Sequence, residues 1–185
     1  MSAIDICPDC GRKVSGLDRE VTFGFPDEVF ALSDDERVRR VATFGKSFVT
    51  LDSDRFFLRV LLPVQLDIGR EFRFGVWIEV SKHEYKRIWD LWDEPEYSTV
   101  SVEGVLANTV PPWADAIGGA PCMAAARNAT DALYIESSTQ PVLARVLTTP
   151  WAMHECEELI SAVWGDPPPD PGESVVPLPR EDLSK

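Results

Sequence analysis

The sequence predicts an α+β domain in which a mostly antiparallel sheet of five to seven strands packs its apolar face on two amphipathic helices. Three observations lead there. Residues 72–80 put Phe72, Phe74, Val76, Ile78 and Val80 on one side and Arg73, Gly75, Trp77 and Glu79 on the other. That period of two belongs to a strand with one buried face. Residues 55–62 repeat it, with Phe56, Leu58, Val60 and Leu62 opposed to Arg55, Phe57, Arg59 and Leu61, and Asp67-Ile68-Gly69 turns the two runs into a hairpin. Helical periodicity replaces the alternation in 81–94 and 150–164.

The remaining elements follow in chain order. Segment 21–32 is apolar with a Pro-Asp break and reads as a loop entering a short helical turn. Ser33-Asp34-Asp35-Glu36 is a capping box, with Ser33 at the N-cap and Glu36 at N3. Asp35 and Glu36 pair with Arg39 and Arg40 four residues on, and Val38, Val41 and Ala42 form an inward stripe. This predicts a helix over 34–43 that Gly45 stops. A short strand at 47–51 turns through Asp52-Ser53-Asp54 into the 55–62 strand, which Pro63 ends or places at an edge.

Ser81-Lys82-His83-Glu84 opens the next helix, and Pro95 must stop it. Tyr85, Ile88, Trp89 and Trp92 fall on one arc, the stripe expected to face the core. Asp90, Asp93, Glu94 and Glu96 crowd its C-terminal end, against the sense of the helix dipole. Further on, 98–106 reads as a strand, 108–113 as a Pro-Pro turn, 122–127 and 131–136 as a hairpin around Asn128, and 142–147 as another strand. Thr149 and Pro150 fit N-cap and N1 of the last helix. Residues 1–165 are expected to form one domain, and the proline-rich 166–185 a tail too poor in apolar surface to order itself.

Composition narrows the function classes. A net charge of −13 and a pI near 4.5 argue against a nucleic-acid or anionic-membrane binder, both of which need clustered cations. No basic and apolar leader opens the chain, and no uncharged run exceeds eleven residues, so a cytoplasmic protein with reduced thiols is expected. There is no Gly-x-Ser-x-Gly, no His-Glu-x-x-His and no phosphate-cradling glycine loop. With two histidines and no assembled nucleophile–base set, a non-enzymatic protein is expected.

Two candidate sites remain. Cys7-Pro8-Asp9-Cys10-Gly11, within a knuckle-like segment at 5–14, has the form of half a zinc site, two thiolates on one tight turn. The other ligands would come from His83, Cys122, His154 or Cys156, or from a second chain, which would make zinc a dimer clamp. An unmetallated knuckle and a redox pair are the alternatives. The second candidate is the outer face of the hairpin. There Arg55, Arg59 and Arg73 would gather near Trp77 and Glu79, a set suited to a carboxylate, a phosphate or an acidic peptide. An ordinary outer face with an Arg–Glu cross-strand pair and a sheltered Trp is the competing reading.

The order of these features resembles an uncharacterised bacterial family, domain of unknown function 2199. The resemblance rests on the knuckle, Pro26-Asp27, Glu36-Arg37, Asp54-Arg55-Phe56-Phe57-x-Arg59, Gly75-Val76-Trp77, Leu91-Trp92-Asp93, Asn108 and Pro111. Where family members often carry histidines, this chain has Arg12-Lys13-Val14 and Gln140. The resemblance implies a compact bacterial cytosolic protein and no activity. The expectation is therefore a binding or regulatory module engaging a protein partner. The alternative is a protein that binds a small molecule or anion on its Arg/Trp face, an enzyme of unrecognised type included.

Overall fold

The computed structural model describes residues 5–6, 13–14, 21–129 and 131–153. Its elements are β1 (Asp5–Ile6), β2 (Lys13–Val14), β3 (Val21–Thr22), α1 (Asp27–Phe30), α2 (Asp34–Arg40), β4 (Val41–Phe44) and β5 (Phe48–Leu51). Then come β6 (Arg55–Gln65), β7 (Glu71–Val80), α3 (Lys82–Leu91), a 3-10 turn over Pro95–Thr99, β8 (Ser101–Leu106), β9 (Pro121–Ala125), β10 (Tyr134–Ser138) and α4 (Pro141–Thr148). β1 and β2 pair as a separate two-stranded sheet on either side of residues 7–12 in sequence. The expected knuckle at Cys7 and Cys10 therefore lies outside the described residues, as do 154–185, with most of the 150–164 helix and the 166–185 tail.

The α+β class is observed, but the sheet is larger than expected and it closes. Eight strands run β3-β7-β8-β9-β10-β6-β5-β4, and β6 also pairs with β7, so β6 to β10 form a five-stranded barrel. A meander of five strands must finish in the direction it began. The closing contact, Tyr134 opposite Leu61, is accordingly parallel while the other barrel pairings are antiparallel. Long β6 and β7 make this feasible, because each serves two neighbours along its outer edge. β6 takes β5 near its start and β10 further on, and β7 takes β3 and then β8.

Pro63 lies within β6 rather than ending it. The amides of Arg59 and Leu61 donate away from β7, to Ser47 O and Leu133 O. Alternation in the ladder aims position 63 the same way. Leu133 has by then been used, and the next bond on that side is Trp151 N–H to Gln65 O. The missing proline donor removes no ladder bond.

Inward positions of all five strands share one buried cluster, from Leu58 and Val60 on β6 through Val76 and Ile78 on β7 to Val102, Ala124 and Ile135. α3 closes it on one side, with Ile88 fully buried and Phe48 in edge-to-face contact with Tyr85, Trp89 and Trp92 at 5.4, 5.0 and 4.9 Å. The outward positions of the hairpin are buried as well. Val49, Leu51, Phe57 and Trp77 form a second cluster with Val29 of α1, partly covered by Phe23, Phe25 and Leu32. The apolar 21–32 segment is thus a strap over the outside of the barrel.

Three local expectations are corrected. The helix predicted over 34–43 ends at Arg40 after a complete capping box, and β-branched Val41 and Thr43 pair with β5 instead. Gly45, at φ +60°, turns that hairpin, and Val38 is 85% exposed rather than core-facing. The strand predicted at 142–147 is α4, with Pro141 at N1 and the Gln140 side chain accepting from Leu143 N–H at 2.6 Å. Leu143 and Val146, three apart, are its buried face. Finally, Trp151 is bridged to Leu66. Pro150 therefore precedes a sheet contact rather than a helical turn.

Candidate functional site

The structure distributes the arginine–tryptophan set rather than gathering it. Arg55 grips Glu79 in a fork, Nε to Oε1 at 2.8 Å and Nη2 to Oε2 at 2.6 Å, and its remaining nitrogen bonds Glu28 of the strap. The guanidinium also lies over the Phe57 ring, 5.4 Å from its centroid. Hydrogen bonding to Arg55 holds the Glu79 carboxyl below its ordinary range, and the same contacts raise Arg55. Trp77 is 3% exposed, its indole N–H donating to Phe23 O at 2.9 Å. Arg59, opposite Trp77 in register, donates to the Thr22 hydroxyl at 3.0 Å. Arg73 sits four residues down β7 and donates to Tyr134 Oη at 3.2 Å. Arg55 and Glu79 meet, Arg59 stands opposite Trp77, and the strap covers Trp77.

What unites this face is a latch. Asn108, 1% exposed, accepts from Trp77 N–H at 2.8 Å and donates to Phe25 O at 2.9 Å and Asp27 Oδ1 at 2.8 Å. The other Asp27 oxygen accepts from the Thr109 amide and hydroxyl, both at 2.6 Å, and Asp27 N–H donates to Ala107 O. A cleft of about 470 Å³ beside the latch is lined by Asp27, Glu28, Arg55 and Glu79 among others. Arg55 is bonded to Glu28 and Glu79, and Asp27 to Asn108 and Thr109, so these groups hold the strap down, while the buried Glu28 Oε1 finds no hydrogen-bond partner among the described residues.

A different surface is open. On the sheet face toward α3, Phe44 at the end of β4 is 45% exposed and Trp89 of α3 is 47% exposed, and their rings meet edge to face at 5.5 Å. On one side of this pair lies a depression of about 280 Å³ walled by Phe44, Phe56, Tyr85 and Trp89, with Lys82 and Lys86 at its rim. On the other side lies one of about 310 Å³ that includes Lys46, Phe48, Trp92 and Asp93. Three of the chain's five lysines therefore border one aromatic groove, against one aspartate, in a protein of net charge −13. Lys82 also lies 5.9 Å from the centroid of Phe56, and Lys86 pairs with Asp90 at 2.8 Å. Burial pushes the Tyr85 phenol up to about 12, so it stays neutral beneath the lysines.

The family model of an uncharacterized protein conserved in bacteria (DUF2199) matches residues 6–146. The chain belongs to this family. No curated protein and no solved structure matches it. Some of the motif residues that carried the resemblance to DUF2199 fall at these two places, and Cys7, Cys10 and Gly11 lie outside the described residues. Pro26-Asp27, Arg55, Phe57, Trp77 and Asn108 build the strap and latch, whereas Phe56, Trp92 and Asp93 border the groove.

The metal reading rests on Cys7 and Cys10, outside the described residues, as are His154 and Cys156. Among the described residues no group of three or more histidines, cysteines or acids could hold a metal ion. Cys122, on β9 between β8 and β10, is buried, and burial pushes its thiol up to about 12. Among the same residues no helix is long and apolar enough to cross a membrane. Sequence reasoning missed Phe44 and the three lysines as a site and placed Trp89 in the core. The usable signal was the concentration of lysine between 46 and 86.

Proposed function

We propose that this DUF2199 chain is a non-enzymatic binding module of the bacterial cytosol whose ligand is a protein segment held in the aromatic groove between α3 and the β4–β5 hairpin. The observation that carries this reading is the half-exposed Phe44–Trp89 pair flanked by two depressions. Aromatic side chains that present large rigid area at low entropic cost are the usual anchors of protein interfaces. The lysines select the ligand's charge. At physiological salt the screening length is ~8 Å, so Lys46 and Lys82 act on a bound segment more strongly than distant acids, whereas Lys86 is shared with Asp90 and Asp93 lies in the groove wall. The expected ligand carries apolar anchors and net negative charge.

The anion-binding alternative draws less support, because Arg55 is saturated by two carboxylates and Trp77 is covered. The test is selection of random peptides displayed on phage against the full chain, with Phe44→Ala/Trp89→Ala as counter-target. The expected result is enrichment of acidic sequences with apolar anchors, bound at least tenfold more weakly by the double variant. Selected peptides that bind both proteins equally would remove the groove from the account.

A further inference from the structure

Resting on the groove reading, we propose that the partner enters it as an extended strand added to β4, an acidic segment with apolar side chains at alternate positions. β4 is the last strand of the eight, paired only with β5 among the described residues, and Ala42, Thr43 and Phe44 are all exposed. The direction of its backbone groups follows from register. Asp52 N–H donates to Arg40 O at 2.8 Å, and Ala42 and Phe44 stand opposite Thr50 and Phe48. Antiparallel alternation therefore turns Ala42 and Phe44 toward β5 and Val41 and Thr43 outward. The Val41 amide is taken by Arg37 O as the cap of α2. That leaves the Val41 carbonyl and both backbone groups of Thr43 along the open edge, the arrangement that accepts an incoming strand.

Side-chain placement points the same way. Phe44 and Phe48 share a face with Phe56 and lean on α3, while Ala42 and Thr50 between them in register are small. A strand laid along β4 would send every second side chain onto that face, into the depression between Trp89 and the lysines. Acidic residues of the segment would meet Lys82 and compete with Asp90 for Lys86, and charge repulsion by acids more than a screening length away would be weak.

The experiment uses a fluorescein-labelled decapeptide alternating leucine with glutamate, the same peptide N-methylated at alternate amides, and a leucine–lysine counterpart. They are titrated by fluorescence anisotropy against wild type, Thr43→Pro and Trp89→Ala, each verified folded by circular dichroism. Thr43→Pro removes only an outward N–H, so β4–β5 pairing survives. Strand addition predicts binding of the acidic probe, with a loss of tenfold or more in Thr43→Pro and again on N-methylation. If both leave affinity unchanged while Trp89→Ala abolishes it, strand addition is wrong and the groove reading stands. If Trp89→Ala has no effect, the groove reading fails as well. Absent binding of the acidic probe, or equal binding of the lysine probe, overturns the proposed ligand chemistry. A two-chain mass in wild type that becomes one in Thr43→Pro would give the edge to a second copy and overturn the partner-segment proposal.

Discussion

Replacing Asn108 with alanine should release the strap. The side chain makes three hydrogen bonds in an environment that leaves it 1% exposed. The two to main-chain partners, Trp77 N–H and Phe25 O, contribute ~1 kcal/mol each, and the one to the Asp27 carboxylate ~1.5 kcal/mol. The lower end for a charged bond is used because Asp27 is only half-buried and regains some water. The sum is ~3.5 kcal/mol, large for one substitution in a marginally stable domain. With a urea m-value of ~2 kcal/mol/M the midpoint should fall by about 1.75 M. Hydrogen exchange in 21–32 should rise before the rest of the barrel opens. Asn108→Asp is the sharper control. It keeps the acceptor for Trp77 but sets a second carboxylate against Asp27, which raises the pKa of the pair in the folded state. Stability from such a group is present at low pH and lost as pH rises, so this variant should recover toward wild type on acidification. A loss below ~1 kcal/mol in Asn108→Ala would refute the latch.

Other expectations follow from single contacts. Hydrogen bonding to Arg55 depresses the Glu79 carboxyl, so its contribution is present above the unfolded value of ~4.3 and lost as pH falls below it. The stability gap between wild type and Arg55→Met should accordingly narrow under acid denaturation, and a gap unchanged between neutral pH and about pH 3 would contradict the pair's role. A Cβ at Gly104 would stand 2.8 Å from the Glu79 carbonyl oxygen, so Gly104→Ala should lose ~1–3 kcal/mol in urea melts, whereas a neutral change would mean β8 can shift freely. Cys122 should resist iodoacetamide in the native protein and react after unfolding, as read by site-mapped mass spectrometry. If Cys7 and Cys10 hold zinc, protein purified without chelator should carry it near-stoichiometrically and Cys7→Ser should remove it, whereas metal-free protein would sink the metal reading.

Local rules were legible wherever neighbours in sequence were also neighbours in space. The β6–β7 alternation, the Ser33 cap and the Asn128 turn follow from the residues within a few positions of them. What escaped were consequences of distant chain. Nothing in 72–80 shows that its second face is covered, because the cover is supplied by residues 23–32. Phe57 and Trp77 therefore look like surface residues in sequence, and the arginines around them like an open cluster. Barrel closure depends on the pairing of β10 with β6 at Tyr134 and Leu61, which no periodicity announces. Val41 to Thr43 changed from helix to strand because pairing with 48–51 outweighs a helical preference that β-branched residues already weaken. The Trp89 error was of the same kind. The stripe on α3 is wider than the core beneath it, so Tyr85 and Ile88 are buried while Trp89 reaches past Phe48 into the groove.

The central claim is that a partner segment occupies the lysine-bordered aromatic groove and leaves the latched arginine face alone. Hydrogen–deuterium exchange of the full chain, with and without a peptide selected by display, tests it most directly. The account predicts protection of residues 41–48 and 82–92, with exchange at 23–29 and 105–109 unchanged. Protection at the Asp27, Arg55 and Asn108 cleft with none at β4 and α3 would contradict it.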